Sequence, residues 1–468
     1  MKPIHLNAFT QCCLNHHSAG QWKNPADGSA DGYRSIDYWV DLAKLLERGG
    51  FTSLFLADVH GTYDVYRGSR DTAVRHAVQF PSNDPTLVIA AMAYATKTLG
   101  FGCTFSTTYF PPYHTAKVFS TLDHLTNGRV GWNIVTSYLA DAEANFGITQ
   151  SLTHDERYDR AEEYLEVCYK LWEHSWEDGA VVRDAARDCF NDPARIHQID
   201  HVGRWFSVPG PHMCEPSPQR TPLLYQAGQS GRGVQFAARH AEAVFCVYPN
   251  LGATTRGVQQ LREALAAAGR DPGSVKVCQG FTVVVAKTDA EAREKFEQLR
   301  RYASPEGNLA LFSGWAGIDL STLDPDEPLE AKSSNAIQGV LGYFKQVDPD
   351  RRWTLREMGE WIAVGSVMPK LIGSPQTVAD QLEAWVDATG IDGINLAPIA
   401  QPAGFEDFVE MVVPELRRRG RLPSLQPGRT LREHFQGEGQ RRLAADHVAH
   451  RCLPPWRHEA VPQLTSGK

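Results

Sequence analysis

The chain has 468 residues, 42% hydrophobic and 22% charged, which is ordinary for a soluble globular protein and long enough for one large domain with insertions or for two. Its 55 acidic and 47 basic residues give a net charge of -8, which argues against a nucleic-acid or anionic-membrane partner. No apolar run reaches membrane-spanning length, MKPIHLNAFTQ lacks an apolar signal core, and the nine scattered cysteines contain no CxxC pair, so a cytoplasmic protein with reduced thiols and no metal is expected.

Short apolar runs then alternate with segments of helical period. IHLNAF predicts a first strand, followed by a helix in SIDYWVDLAKLLERGG with Ile36, Val40, Ala43 and Leu46 on one face and a stop at Gly49. SLFLADV predicts the second strand, and its helix in DPTLVIAAMAYATKTLG follows Pro85 and stops at Gly100. GFGCTFST leads to TAKVFSTLDHLTNG, with Val118, Leu122 and Leu125 in register and Gly128 as terminator. RVGWNIVTS leads to THDERYDRAEEYLEVCYKLW, opened by Thr153 and Glu156 at capping-box spacing. PLLYQAG, AVFCVY, VCQGFTVVVA and GINLAPI are the remaining strands, and SGRGVQFAARHA, TTRGVQQLREALAAAG, TDAEAREKFEQLRRYA and SPQTVADQLEAWVDATG complete the helices. Strands apolar nearly throughout, each followed by a helix, predict an α/β fold, a (β/α)8 TIM barrel. A doubly wound sheet is the alternative, and the lack of a GxGxxG after an early strand counts against it.

Three connections are longer than usual: 59–84, 176–220 and 303–372. Their aromatic content (GTYDVYRG, GRWFSVPG, LFSGWAGI) predicts ordered, packed insertions, and those around Tyr63 and Trp315 are candidates for a dry lid. The barrel region is 1–422, and the tail 423–468, low in apolar residues, is expected to wrap the surface or a neighbouring subunit.

Active sites of such barrels lie at the C-terminal strand ends. Those ends carry Cys12, Cys13 and His16, then Asp58, then Thr104, Ser106 and Thr107, then Asn133, Thr136 and Ser137, then QAGQSGRG, then Asn395. This rim has hydroxyls, amides and one carboxylate. It lacks a carboxylate pair for glycoside hydrolysis and a Ser-His-Asp set. It suits a polar organic molecule that itself carries the chemistry. Ser230 before a glycine-rich helix start, and His154 with Tyr158 in the first turn of another, fit either an anion site or plain helix caps. Asp58 is either a site residue or a loop start, and Cys13 either a reactive thiol or a small buried hydrophobe.

Longer strings carry a family resemblance. FLADVHGTYDVYRGSRDTAVRHAVQFPSNDP, TLDHLTNGRVGWNIVTS, HDERYDRAEEYLEVCYKLWE and GPHMCEPSPQRTPLLYQAGQSGRGVQFAARHAEAVF resemble the bacterial-luciferase-like flavin-dependent monooxygenases. The similar subgroup holds nitrilotriacetate monooxygenase component A, the dibenzothiophene-sulfone monooxygenases and the long-chain alkane monooxygenases, with the alkane branch most alike. The resemblance runs from HLNAF to about VVPELRRRG. It implies a barrel that binds reduced FMN (FMNH2) supplied by a separate NAD(P)H-dependent flavin reductase. With O2 this gives a C4a-(hydro)peroxyflavin, which places one oxygen atom in a hydrophobic substrate such as a long-chain alkane while the other leaves as water. It further implies flavin contacts from Asp58, Thr104, Asn133, Thr136 and Ser137, a phosphate corner of His154, Tyr158 and Ser230, and a substrate pocket of Cys13, His16, Tyr63 and Gln79. A homodimer or homotetramer follows family habit. Two departures from the alkane branch bear on substrate: Tyr138 in place of a histidine, and EGNLAL, with Asn308 and Leu311, in place of a His-rich EGHLAH. Sulfone or aminopolycarboxylate oxidation in the same subgroup, F420-dependent hydride transfer, a silent flavin-binding barrel and a sugar-processing barrel are the alternatives.

Overall fold

The computed structural model describes residues 2–14, 16–329 and 335–452. Eight parallel strands close on themselves: β1 His5–Gln11, β2 Ser53–Ala57, β3 Gly100–Ser106, β4 Val130–Val135, β5 Leu223–Gln226, β6 Ala243–Cys246, β7 Lys276–Val285 and β8 Gly393–Leu396. Each pairs with the next in sequence, and β8 returns to β1. Helices α1 Ile36–Arg48, α2 Thr86–Ala95, α3 Pro112–Leu125, α4 His154–Tyr169, α5 Gly231–His240, α6 Leu251–Ala267 and α7 Pro375–Thr389 lie outside, with a last helical segment over 403–418. No helix among the described residues is long and apolar enough to cross a membrane.

The TIM barrel agrees with the strand-helix alternation, while three local expectations need correction. In α1 the buried face is Trp39, Leu42, Ala43, Leu45 and Leu46, and Ile36 is 56% exposed. In α3 the buried residues include Ala116, Phe119 and Leu122, and Leu125 is 58% exposed. Both stripes rotate so that the largest ring, Trp39 or Phe119, meets the barrel wall, because ring burial contributes most per residue. Helix α2 ends at Ala95, well short of Gly100. There the buried Arg129 guanidinium donates to the carbonyls of Ala93, Thr96 and Leu99 at 2.8, 3.2 and 2.8 Å. The Glu47 carboxylate accepts from the N–H groups of Lys97 and Leu99 at 2.6 and 3.2 Å. These side chains satisfy the backbone groups that further helical turns would have satisfied.

Inside the barrel, Phe9, Phe55, Tyr225 and Phe245 fill the axis. Gly131 leaves room for one of them, since a Cβ there would stand 2.6 Å from the Tyr225 ring. Residues 453–468 lie outside the described residues, and the described part of the tail, 423–452, does more than wrap the surface. Its short helix, Leu431–Gln436, crosses the N-terminal mouth and buries Leu431 and Phe435 in the same cluster. Arg432, 1% exposed, donates to both carboxylate oxygens of Glu242 at 2.6 and 2.8 Å.

The insertions are packed. Residues 176–220 form two small hairpins, Val181–Asp184 with Cys189–Asn191 and His201–Val202 with Ser207–Val208. The third insertion carries helices Pro305–Ala316, Asn335–Val347 and Leu355–Ile362, and its strand Lys370–Gly373 extends the pairing of β7. Leu309, Leu341, Phe344, Trp353 and Met358 give it a core of its own, which Tyr66 of the first insertion joins. An Arg67–Glu306 ion pair at 2.9 Å ties the two together.

Candidate functional site

Strand β4 shows how the sequence builds the rim. Trp132 and Ile134 belong to the core outside the barrel, where the Trp132 ring meets Phe119, Tyr164 and Trp172. Gly131 and Asn133 alternate with them and point inward. Asn133 Nδ2 donates to Thr104 Oγ1 at 2.9 Å, and its Oδ1 is buried without a partner. Past the strand, Ser137 adopts a left-handed backbone, φ 53°, and its hydroxyl pairs with that of Ser106 at 2.8 Å. Thr108 Oγ1 holds the Thr136 carbonyl at 2.7 Å.

A cleft of about 290 Å³ opens at this end of the barrel. Asp58, Thr136, Ser137, Tyr138, His154 and Tyr158 all line it. Thr104 and Asn133 sit deeper in their strands and pair with each other. Ser230 meets the cleft through its neighbours: His154 Nε2 stands 3.4 Å from its hydroxyl, and Tyr158 is hydrogen-bonded to both Ser230 and Gln226. The capping box of Thr153 and Glu156 starts α4, and the Ser230 hydroxyl accepts from Gly233 N–H at 3.0 Å to start α5. Two helix N-termini therefore converge on one corner, with their positive ends and free N–H groups. Gly228 closes that corner: a Cβ would lie 2.5 Å from Gln226 Nε2 and 2.6 Å from the Tyr158 hydroxyl. Arg157 also lines the cleft, has no carboxylate partner among the described residues, and leaves its buried Nε unpaired.

Asp58 follows β2. Burial, reinforced by the charge of Asp84 and opposed by the Val59 N–H, pushes its carboxyl up to about 8. It is thus neutral at the cleft wall near pH 7.

Cys13, His16, Tyr63 and Gln79 form a separate, enclosed group. The Tyr63 hydroxyl donates to Gln79 Oε1 at 2.8 Å, and Gln79 Nε2 donates to the His16 carbonyl at 3.1 Å. Tyr138 joins this group to the cleft, with its hydroxyl 3.3 Å from that of Tyr63 while the residue as a whole is 45% exposed. Trp315 hydrogen-bonds both tyrosines. The lid of this group packs Ala19, Tyr63, Val78, Leu139, Ala142 and Leu311. Burial pushes the Cys13 thiol well up and the His16 imidazole well down, so both are neutral walls rather than a thiolate and a cation.

Arg157 and His60 line the cleft without being singled out by the sequence, whereas Gln226 and Gly228 fall within the QAGQSGRG rim expected from it. Gln226 and Gly228 close the fifth strand run and were legible by position. Arg157 neighbours Tyr158, and His60 stands two residues past Asp58, but neither has a spacing that separates it from an ordinary surface side chain.

A family model described as luciferase-like monooxygenase matches residues 11–393. The chain is 47% identical over 449 residues to the dimethyl-sulfide monooxygenase of Hyphomicrobium sulfonivorans, covering 96% of this chain and 93% of that one. It is 47% identical over 450 residues to the long-chain alkane monooxygenase of Geobacillus thermodenitrificans (strain NG80-2), covering 96% and 98%. The crystal structure of DmoA from Hyphomicrobium sulfonivorans superposes with a TM-score of 0.91 at 46% identity, over 97% of each chain. A long-chain alkane monooxygenase structure superposes at 0.89 and 46% identity, over 97% of this chain and 100% of that one. A riboflavin lyase solved with modified FMN and riboflavin superposes at 0.87 and 34% identity, over 97% and 100%.

Proposed function

The chain belongs to the luciferase-like monooxygenases and is a flavin-dependent monooxygenase, and from that premise we propose that it binds reduced FMN in the cleft and uses O2 to oxygenate an apolar organic substrate such as a long-chain alkane or a dialkyl sulfide. A separate NAD(P)H-dependent flavin reductase delivers the flavin. The observation that carries the assignment of the cleft is the corner where two helix N-termini, Tyr158, Ser230 and the uncompensated Arg157 meet around Gly228. A phosphate monoester supplies the anion and the acceptor oxygens that such a corner lacks. The orphan Oδ1 of Asn133 fits the same ligand, since a flavin ring edge offers an N–H.

Bound there, reduced FMN supplies the electrons that activate O2. The chain itself does the rest. Tyr158, Ser230, His154 and Arg157 hold the phosphate. Asn133, Thr104, Thr136 and Ser137 fix the ring edge, and Asp58 holds a proton at the cleft wall. Tyr63, Tyr138 and Trp315, packed beneath Leu311 and Leu139, keep water from the reacting end. The substrate is received beside the buried group of Cys13, His16, Tyr63 and Gln79, which Tyr138 links to the cleft.

The chain forms a homo-oligomer through the outer face of α2. Its TLVIAAMAYA carries no charge, yet Leu87 is 77% and Tyr94 is 89% exposed. All nine cysteines are unpaired thiols, which supports a reducing, cytoplasmic setting.

Titrating purified chain with FMN, then supplying NADH, a generic flavin reductase and a panel of hexadecane, dimethyl sulfide, dibenzothiophene sulfone and nitrilotriacetate, tests the reading. Ser230→Ala and Tyr158→Phe are each expected to weaken FMN by about 1 to 3 kcal/mol. Unchanged affinity in both variants sinks the phosphate corner, and absence of any oxygenated product sinks the activity.

A further inference from the structure

Two titratable side chains, Asp58 and His60, leave the end of β2 on a wall that two cavities share. The flavin cleft and a second groove of about 540 Å³ are both lined by Asp58, Val59 and His60. His60 Nε2 stands 3.4 Å from Asp58 Oδ2. Three rings hold the imidazole from the side: Tyr109 at 5.4 Å, Phe110 at 5.4 Å and Phe146 at 5.5 Å, all near perpendicular to it. Tyr109 and Phe110 follow β3, and Phe146 closes the short helix Ala140–Asn145 after β4. Separate elements therefore fix one ring beside one carboxyl, a placement that packing alone does not require of a histidine.

We infer that His60 is the positioning residue of Asp58 and carries its proton between the flavin cleft and the outer groove. The inference rests on the reading of the cleft as the flavin site. When Asp58 gives its proton to a group in the cleft, Nε2–H of the neutral imidazole returns one to Oδ2. The ring's other nitrogen, Nδ1, takes one from solvent. Each atom ends with the proton count it began with, apart from a change of imidazole tautomer. No oxidant or reductant is involved.

The surrounding charges agree. Burial pushes His60 down, and Asp84 opposes that by raising it. Burial and Asp84 both push Asp58 up, to about 8. Near pH 7 the two groups are thus a neutral pair rather than an ion pair. Across the groove, the Asp141 carboxylate is occupied by the Thr62 N–H and hydroxyl at 2.8 and 3.0 Å, and Arg70 lines the same groove. Asp84 is therefore the anion that both groups feel, and it stands on the groove side.

The experiment uses the full chain and three variants: His60→Phe, which fills the aromatic cage, His60→Gln, which offers an amide N–H to Asp58 without titrating, and Asp58→Asn. The infrared carbonyl band of a protonated carboxyl is followed against pH without flavin. The dissociation constant of FMN is followed over the same range by fluorescence quenching. The wild-type band that Asp58→Asn removes is expected to titrate at about 8. His60→Phe is expected to move that midpoint by about one unit or more and to change the pH dependence of FMN affinity, with His60→Gln restoring the midpoint. A His60→Phe midpoint equal to wild type, with FMN affinity within about twofold at every pH, overturns the inference. Failure of wild type to bind FMN at any pH overturns the flavin reading and the passage to the cleft with it, while the infrared band still decides whether His60 sets the Asp58 proton.

Discussion

Replacing Gly228 by Ala is the sharpest probe of the phosphate corner. The added Cβ would stand 2.5 Å from Gln226 Nε2, 2.6 Å from the Tyr158 hydroxyl and 3.1 Å from Gly233 Cα. Contacts that short do not persist, so the Tyr158 ring and the Gln226 amide must withdraw. Withdrawal breaks the Gln226 Oε1 bond to Gly228 N–H, now 2.7 Å, and the link from Tyr158 to Ser230. Overpacking costs about 1 to 3 kcal/mol, and a hydrogen bond lost to a charged phosphate costs about 1.5 to 3 kcal/mol. Because the same withdrawal relieves the clash, the two are not additive, and FMN affinity is expected to fall about 10- to 100-fold. Riboflavin, which lacks the phosphate, is expected to lose much less. Gly252→Ala is the control: its Cβ meets Arg256 and Asn250 at ordinary distances of 3.5 and 3.6 Å in the first turn of α6, so it is expected to gain about 0.5 to 1 kcal/mol of stability and to leave FMN binding alone. Fluorescence titration of both flavins against the three proteins decides the matter. If Gly228→Ala binds FMN like wild type, or weakens both flavins equally, the corner does not hold a phosphate.

Arg432→Ala leaves Glu242 buried and unpaired at the barrel mouth and is expected to destabilise by about 3 to 5 kcal/mol in chemical denaturation; a loss below about 1 kcal/mol would show that the tail helix is not needed there. Asp58 titrates near 3.8 unfolded and at about 8 folded, so the folded chain holds the proton more tightly and stability falls as pH rises from about 4 to about 8. Asp58→Asn removes that penalty, and its melting temperature relative to wild type is expected to climb between pH 5 and pH 9, whereas a constant difference refutes the raised carboxyl. Leu87→Glu combined with Tyr94→Glu is expected to halve the mass or more in sedimentation if α2 is the interface between copies, and an unchanged assembly removes α2 from that role.

The barrel was legible because parallel strands covered on both faces must be apolar nearly throughout, and the eight runs kept that signature. Helix faces were less legible. Ile36 and Leu125 fit a helical stripe as well as Trp39 and Phe119 do, and the greater burial gain of the larger rings decides which face turns inward. The tail hid its role because two apolar residues, Leu431 and Phe435, suffice to plug a narrow mouth, while the energetics around them rest on Arg432 and Glu242, distant in sequence. The rim residues could be found as strand ends. Arg157 and His60 could not, since what distinguishes them is a missing counter-ion in one case and a cage of three rings from other elements in the other.

The expected departures from the alkane branch fall at different places in the fold. Asn308 donates to the carbonyls of Ser304 and Ala363, at 3.2 and 3.1 Å, and so braces the third insertion, while its Oδ1 is buried without a partner. Its identity bears on how the lid folds. Leu311 packs with Tyr63 and Leu139, and Tyr138 bridges the enclosed group to the cleft. Both therefore touch the proposed substrate space. The Tyr138 hydroxyl is taken up by Tyr63 and Trp315, which leaves the exposed ring as what a ligand meets. A hydrophobic side chain and a ring face line the space where the family resemblance implies histidines in the alkane branch. Such a wall offers dispersion and area burial and no new hydrogen bond, so it discriminates by size and shape. That favours apolar substrates over aminopolycarboxylates, whose charges would find no partner there.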